Sequence, residues 1–278
     1  MNDLAQWIIF FLIAYPLGSI PFGYLLGRMQ GIDIRQSGSK NIGATNAGRV
    51  LGKKWGIVCF VLDVLKGLLP ALIAGVRTGL VDFTHWQKVE ISAPAPESQF
   101  LWLGVGIAAI LGHMFPLYLK LRGGKGVATA FGVMLGIYPF LTWPALGAVV
   151  VWLVVIRFSR MVSLASMAGA LSLLAWLIVA RVPRDLDVNP DASLFWQIKS
   201  VWPFLVVTVS LAALILIRHR ANISRILTGT EPRIKRRRRS KGQSSDTSAL
   251  PIHLGFVATG YIGSISQLTI CQPSVPIT

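Results

Sequence analysis

The sequence predicts an all-α polytopic integral membrane protein with seven transmembrane helices, the N-terminus outside and the C-terminus cytoplasmic. Three observations carry this prediction. Of 278 residues, 53% are apolar and only 14% are charged, against about 45–50% and about 25% in soluble chains. That is too little charge to cover a water-facing surface. Apolar runs recur at the length of about 20 residues that a helix needs to cross hydrocarbon. Finally, 27 Lys and Arg against 11 Asp and Glu leave a net charge of +16, and these cations gather on alternate sides of the runs.

The first span is expected over 4–27. Trp7 and Tyr24 stand near its ends as interfacial anchors, and Gly23 and Gly27 allow close helix approach. It lacks the basic start of a cleavable signal and is long enough to span. The next spans are 55–76 and 100–118. The former holds Asp63 and Lys66, spaced i,i+3, which reads first as a structural pair between helices. The apolar stretch 127–156 is 30 residues long and contains Pro139 and Pro144 beside Tyr138 and Trp143. It is too long for one span, so the prolines divide it into two short helices. The last spans are 163–181 and 199–218.

Charge sets the orientation. With seven spans, 21 cations fall on the cytoplasmic side and five outside. Merging 127–156 into one span would move Arg157, Arg160 and the ten-cation tail outward, against the positive-inside rule. Two domains follow: a membrane domain over 1–231 and a cytoplasmic tail over 232–278. The tail opens with RIKRRRRSK at 233–241 and continues as a low-complexity, disordered segment. The basic run suits an anionic leaflet, at about 1 kcal/mol per charge near the surface; a merely solvated tail is the other reading. The basic charge thus reads as membrane topology and anion binding, and a nucleic-acid role is excluded. Cys59 and Cys271 make neither a disulfide framework nor a metal cluster.

Three polar strings carry the chemistry, all on the cytoplasmic side. In the loop after the first span, SGSKNIGATN over 37–46 precedes Arg49. Ser39, Asn41, Gly43, Thr45 and Asn46 supply donors and permissive backbone, and Arg49 a planar fork for phosphate oxygens. A polar turn with capping residues explains the same composition. The second string is RGGKGVAT from Arg122 to Thr129. There Lys125 lies among Gly123, Gly124 and Gly126 at the start of a helix, which suits phosphate; an interfacial positive-inside lysine is the alternative. It is not a Walker A motif, because Leu119 and Gly126 break the pattern. The third string, RHRANISR from Arg218 to Arg225, puts His219 and Asn222 on one helical face. His113 in GHMFP reads as a cap. No HExxH, paired carboxylate or Ser-His-Asp set is evident, so position and charge supply the catalysis rather than a strong base. On these residues alone, a transporter for a phosphorylated solute and a non-enzymatic membrane assembly protein remain open.

Taken together and in order, GSIPFG at Gly18, GSKNIGATN at Gly38 with Arg49, LDVLKG at Leu62, GHMFP at Gly112, GGKGVAT at Gly123, SLAS at Ser163 and RHRANISR at Arg218 with Glu231 resemble the bacterial acyl-phosphate-dependent glycerol-3-phosphate acyltransferases. The resemblance covers about residues 5–231. It implies a seven-helix enzyme of the cytoplasmic (inner) membrane with its active site facing the cytoplasm. Such an enzyme moves an acyl chain from acyl phosphate to the sn-1 hydroxyl of glycerol 3-phosphate, giving lysophosphatidic acid and phosphate, the first acylation of phospholipid synthesis. Ser39, Arg49 and Lys125 would hold phosphate. His219 and Asn222 would complete the catalytic set, with Ser163 lining the site and Glu231 supporting the third string beside Arg218. The resemblance implies substrate-assisted proton transfer and requires no cofactor or metal. Membrane lipid and an acyl-phosphate-forming enzyme are the partners it suggests. Lys40 departs from the family pattern, which usually has glycine there.

Overall fold

The computed structural model describes residues 3–81, 94–188 and 194–234. The expectations placed on the loop around Lys88, the basic run beyond Ile234 and the rest of the tail lie outside those residues. Helix α1 (Asp3–Ser19) and α2 (Phe22–Met29) form one apolar segment. It is interrupted at Ile20–Pro21, where proline has no N–H to continue the ladder. A loop then leads to α3 (Ala44–Val50) and the long α4 (Lys53–Arg77). Helix α5 (Pro96–Met114) runs into a 3-10 turn at Leu117–Leu119. Then come α6 (Val127–Gly136), α7 (Thr142–Ser159), α8 (Val162–Val188), α9 (Leu194–Arg218) and α10 (Arg220–Leu227).

Five segments among the described residues are long and apolar enough to cross a membrane: Leu4–Met29, Lys53–Arg77, Pro96–Leu119, Thr142–Ser159 and Val162–Val179. A sixth is the pair Trp202–Arg218 and Arg220–Leu227, taken as one segment bent by 59°. The chain is therefore an all-helical membrane protein. The stretch 127–156 does divide into two helices, but only the first is short. Helix α6 has only 10 residues, about 15 Å at 1.5 Å per residue, whereas α7 has 18. Pro139 sits in the break between them. Pro144 lies in the first turn of α7, where its missing N–H removes no helical hydrogen bond, so it does not break the helix.

Small residues set the helix contacts. Helix α4 packs along α6, α1 along α5 and α7 along α8. A Cβ on Gly132 would stand 2.0 Å from the Val64 carbonyl oxygen, and one on Gly112 would stand 2.2 Å from that of Tyr15. Backbones touch at these crossings, as close packing between membrane helices requires. Gly23 does the same against the first polar loop, its Cβ position lying 2.0 Å from the Ile42 carbonyl oxygen. Trp102, Phe140 and Phe204 fill the centre, with Phe140 stacked on Phe204 at 5.4 Å and edge-on to Trp102 at 6.2 Å. Leu12, Ile73, Leu153 and Val209 point outward, where lipid rather than water meets them.

Gly132→Ala forces α4 and α6 apart and is expected to cost about 1–3 kcal/mol. Its melting temperature in detergent should fall clearly below that of the parent.

Candidate active site

The first polar loop is laced by one side chain. Asn46, buried in α3, donates through Nδ2 to the carbonyls of Ile34 (3.0 Å), Ser37 (3.1 Å) and Asn41 (2.8 Å), and its Oδ1 accepts the Ser39 N–H at 2.8 Å. Asn41 Oδ1 accepts the Gly43 N–H at 2.8 Å, a turn that leads into α3. Gly38 has φ +62°, and a Cβ there would lie 2.3 Å from Asn46 Oδ1, so the lacing needs glycine. Lys40 has φ +57° and an exposed side chain. It holds a left-handed conformation that costs other residues roughly 1–2 kcal/mol and glycine nothing.

The glycine loop is gripped from two sides. The N–H groups of Gly123 and Gly124 donate to the carbonyls of Met114 (3.2 Å) and His113 (3.1 Å). Arg218 Nη2 donates to the carbonyls of Gly123 (3.1 Å) and Gly124 (2.8 Å), with its guanidinium over the Phe115 ring. Gly126, at φ +80°, caps α6. Lys125 thereby reaches α10, where its Nζ donates to Asn222 Oδ1. Asn222 Nδ2 donates to Glu231 Oε1 at 2.7 Å, and Ser163 Oγ donates to the same oxygen at 2.6 Å. Arg225 Nε holds Glu231 Oε2 at 2.8 Å. Residues from four separate elements therefore share one hydrogen-bonded chain.

Electrostatics follow from this arrangement. Burial disfavours the ammonium form of Lys125; Glu231 opposes this by attraction while Arg225, Arg218 and Arg49 add repulsion, and its pKa drops to about 8. Burial alone would raise the Glu231 pKa, but hydrogen bonds from Ser163, Asn222 and Arg225 outweigh it and hold the carboxylate below its ordinary range. A cleft of about 560 Å³ opens beside this chain. Ser39, Lys40 and Asn41 line one side, Arg122, Gly123 and Arg218 the other, with Asp33 and Arg35 at its edge. Asp33 is ion-paired with Arg35 at 2.7 Å, and that hydrogen-bonded guanidinium lowers its pKa to about 2. The cleft is thus cationic and suited to a phosphorylated ligand.

Residues 8–229 match the family model described as glycerol-3-phosphate acyltransferase. The chain belongs to this family. It is similar to the glycerol-3-phosphate acyltransferase of Aquifex aeolicus, with 38% identity over 226 residues that span 80% of this chain and 96% of that one. Two crystal structures of PlsY, an integral membrane glycerol 3-phosphate acyltransferase, resemble it at 37% identity and a TM-score of 0.64. One is the glycerol 3-phosphate form, the other the lysophosphatidic acid form. Each match covers 82% of this chain, and 96% and 95% of the respective PlsY chains.

Against this family frame, the residues expected from the sequence divide into groups. Lys125, Asn222, Ser163 and Glu231 join directly, and Ser39, Asn41, Gly123 and Arg218 line the cleft. Arg49 is exposed on α3, near enough for its charge to act on Lys125, and Thr45 is exposed one helix turn earlier. Asn46 and Thr129 are buried; Asn46 binds loop backbone. Gly43 and Gly126 act as helix starts and Gly124 as loop backbone. His219 and Asn222 do not share one continuous helix: the bend falls at His219, whose Nδ1 is hydrogen-bonded to the Ile215 carbonyl at 2.8 Å. Arg225, Arg35 and Arg122 went unassigned from sequence. Arg225 and Arg122 lay inside the motif strings, but Arg35 had no periodic signal.

Lys40→Gly should exchange backbone strain for a freer unfolded chain, leaving stability within about 1 kcal/mol of the parent. It should also weaken inorganic phosphate binding roughly threefold at low salt, an effect that fades as salt is added. Titration calorimetry at two ionic strengths checks both the loss and its screening.

Proposed function

We propose that this chain transfers a fatty acyl group from acyl phosphate to the sn-1 hydroxyl of glycerol 3-phosphate, releasing lysophosphatidic acid and phosphate. The observation that carries the reading is the chain Lys125–Asn222–Glu231–Ser163 beside a cationic cleft lined by the first polar loop. Two anionic substrates must approach each other here. Lys125, Arg49 and Arg218 offset that repulsion and stabilise the charge that develops on the leaving phosphate. The hydroxyl oxygen attacks the acyl carbon, the bond from that carbon to the phosphate oxygen breaks, and the hydroxyl proton ends on phosphate. Glu231 is a poor base for this proton, since three donors hold its charge. His219 Nδ1 faces the Ile215 carbonyl, so only its Nε2 could take a proton. We assign the proton instead to a substrate phosphate oxygen, which is carried to the attacking hydroxyl with the substrates themselves.

The contacts also support seven crossings with a cytoplasmic active site. Lys125 begins the segment containing α6 and α7, and Ser163 follows it; both meet at Asn222 and Glu231. On this reading the chain goes out and returns between them, and the short α6 counts as a crossing. The same parity applies across α4 with α5 and across α8 with α9. Counting the bent pair, this gives seven, and the positive-inside rule then puts the motif side in the cytoplasm of a bacterial inner membrane. The enzyme that makes the reactive acyl phosphate is the natural partner at this face.

Purified protein should release phosphate only when acyl phosphate and glycerol 3-phosphate are both present. Equal acylation from acyl-CoA would contradict the donor assignment. Lys125→Ala should lose about 100-fold or more in rate while eluting as folded protein. Lys125 is a cation below pH 8 and loses its charge above. KM for glycerol 3-phosphate should therefore rise as pH climbs through about 8, and Lys125→Arg should remove that upper limb because guanidinium stays charged.

A further inference from the structure

We propose that the buried chain Lys66–Asp63–His113 is a positioning device for the glycine loop that carries Lys125. This rests on the reading above only for its consequence in catalysis. Asp63 and Lys66 sit in the middle of α4, both 2% exposed, and His113 in the last turn of α5 is 4% exposed. Lys66 Nζ lies 2.8 Å from Asp63 Oδ1. It also donates to the Ile20 carbonyl at 2.8 Å, in the break between α1 and α2. His113 Nδ1 approaches Asp63 Oδ1 at 3.6 Å, and Cys59 Sγ closes the other carboxylate oxygen at 3.7 Å. None of these side chains lines the cleft.

The far side of the imidazole explains what they do. A Cβ on Gly124 would stand 2.0 Å from His113 Nε2 and 2.7 Å from Cε1. The ring therefore lies directly against the loop backbone, with no room for a methyl group. The same residue's carbonyl accepts the Gly124 N–H, while Arg218 holds the Gly123 and Gly124 carbonyls from the opposite side. Lys125 follows at once and reaches Asn222. The ion pair orients Asp63, Asp63 faces the ring's inner nitrogen, and the ring presses on Gly124. The turn is clamped between His113 and Arg218, which fixes where the lysine points. A purely structural pair between helices would need no contact with the loop.

The test is a two-site cycle in the full chain, purified in detergent: His113→Ala, Gly124→Ala and both together. Two readouts are followed, kcat for acyl transfer and the rate of limited trypsin cleavage after Arg122 and Lys125. Each single change should speed cleavage about tenfold and lower kcat about 10- to 100-fold. The double variant should be no worse than the poorer single, because the added methyl enters space that the imidazole vacated. Effects that multiply in the double variant would overturn the proposal. Asp63→Asn with Lys66→Met removes both charges together and leaves no lone ion. It should speed cleavage as His113→Ala does, and parent-like cleavage there would also overturn it. The cleavage readout needs no assumption about chemistry. A parent that cleaves slowly and couples as expected, but transfers no acyl group, would sink the proposed reaction and leave the positioning role standing.

Discussion

The carboxylate of Glu231 is the interaction on which the site depends. Arg218, Arg225 and Arg49 are each close enough to repel Lys125, and Glu231 is the counter-charge that acts on it. Glu231 accepts from Ser163, Asn222 and Arg225, so one acid joins the start of α8 to α10. The orientation of Asn222 then fixes what Lys125 meets. The acid answers one cation directly and the others at a distance, leaving positive field for a phosphorylated ligand. Its ion pair with Arg225 is partly exposed and worth little by itself. Its value lies in satisfying three donors at once near the membrane surface, where an unmet polar group costs about 1–3 kcal/mol.

Much of the fold was legible because hydrocarbon imposes a length and a composition on every spanning helix. The i,i+3 spacing of Asp63 and Lys66 announced their ion pair, and the structure forms it. The small-residue pattern around Gly23 announced close packing, although it is a loop carbonyl that comes close rather than another helix. Composition was weakest where backbone decides. Pro139 and Pro144 looked alike in sequence, yet only the former sits in a break, because a proline's effect depends on whether its missing N–H had a helical partner. The bend at His219 carried no proline or glycine, and a run of helix formers hid it.

For the site, residue type identified the strings, while long-range contacts determined the roles. Asn46 and Ser39 looked equally suited to phosphate. Burial turns the amide of Asn46 into the lacing of the loop and leaves Ser39 on the cleft. Arg35 was passed over because its partner Asp33 lies two residues away in a loop, where spacing has no geometric meaning. The glycine loop read as an anion-binding backbone, yet the Gly123 and Gly124 N–H groups donate to the Met114 and His113 carbonyls, and the hold of Arg218 on the loop's own carbonyls spans more than ninety positions of sequence. No local pattern announces such a contact.

The carbonyl of Ile20 has a consequence for assembly. At the break before Pro21 this group accepts the Phe22 N–H at 3.1 Å, and Lys66 adds a charged second donor. Helix α4 enters the bilayer carrying two charges, a costly cargo for an isolated segment. The acceptor for its lysine belongs to an earlier, already inserted part of the chain, and its carboxylate partner travels in the same helix. The imidazole that completes the arrangement arrives only with α5. Chain order thus runs parallel to the contacts: the lysine's acceptor precedes it, its carboxylate shares its helix, and the break in the first span is where the second is fastened.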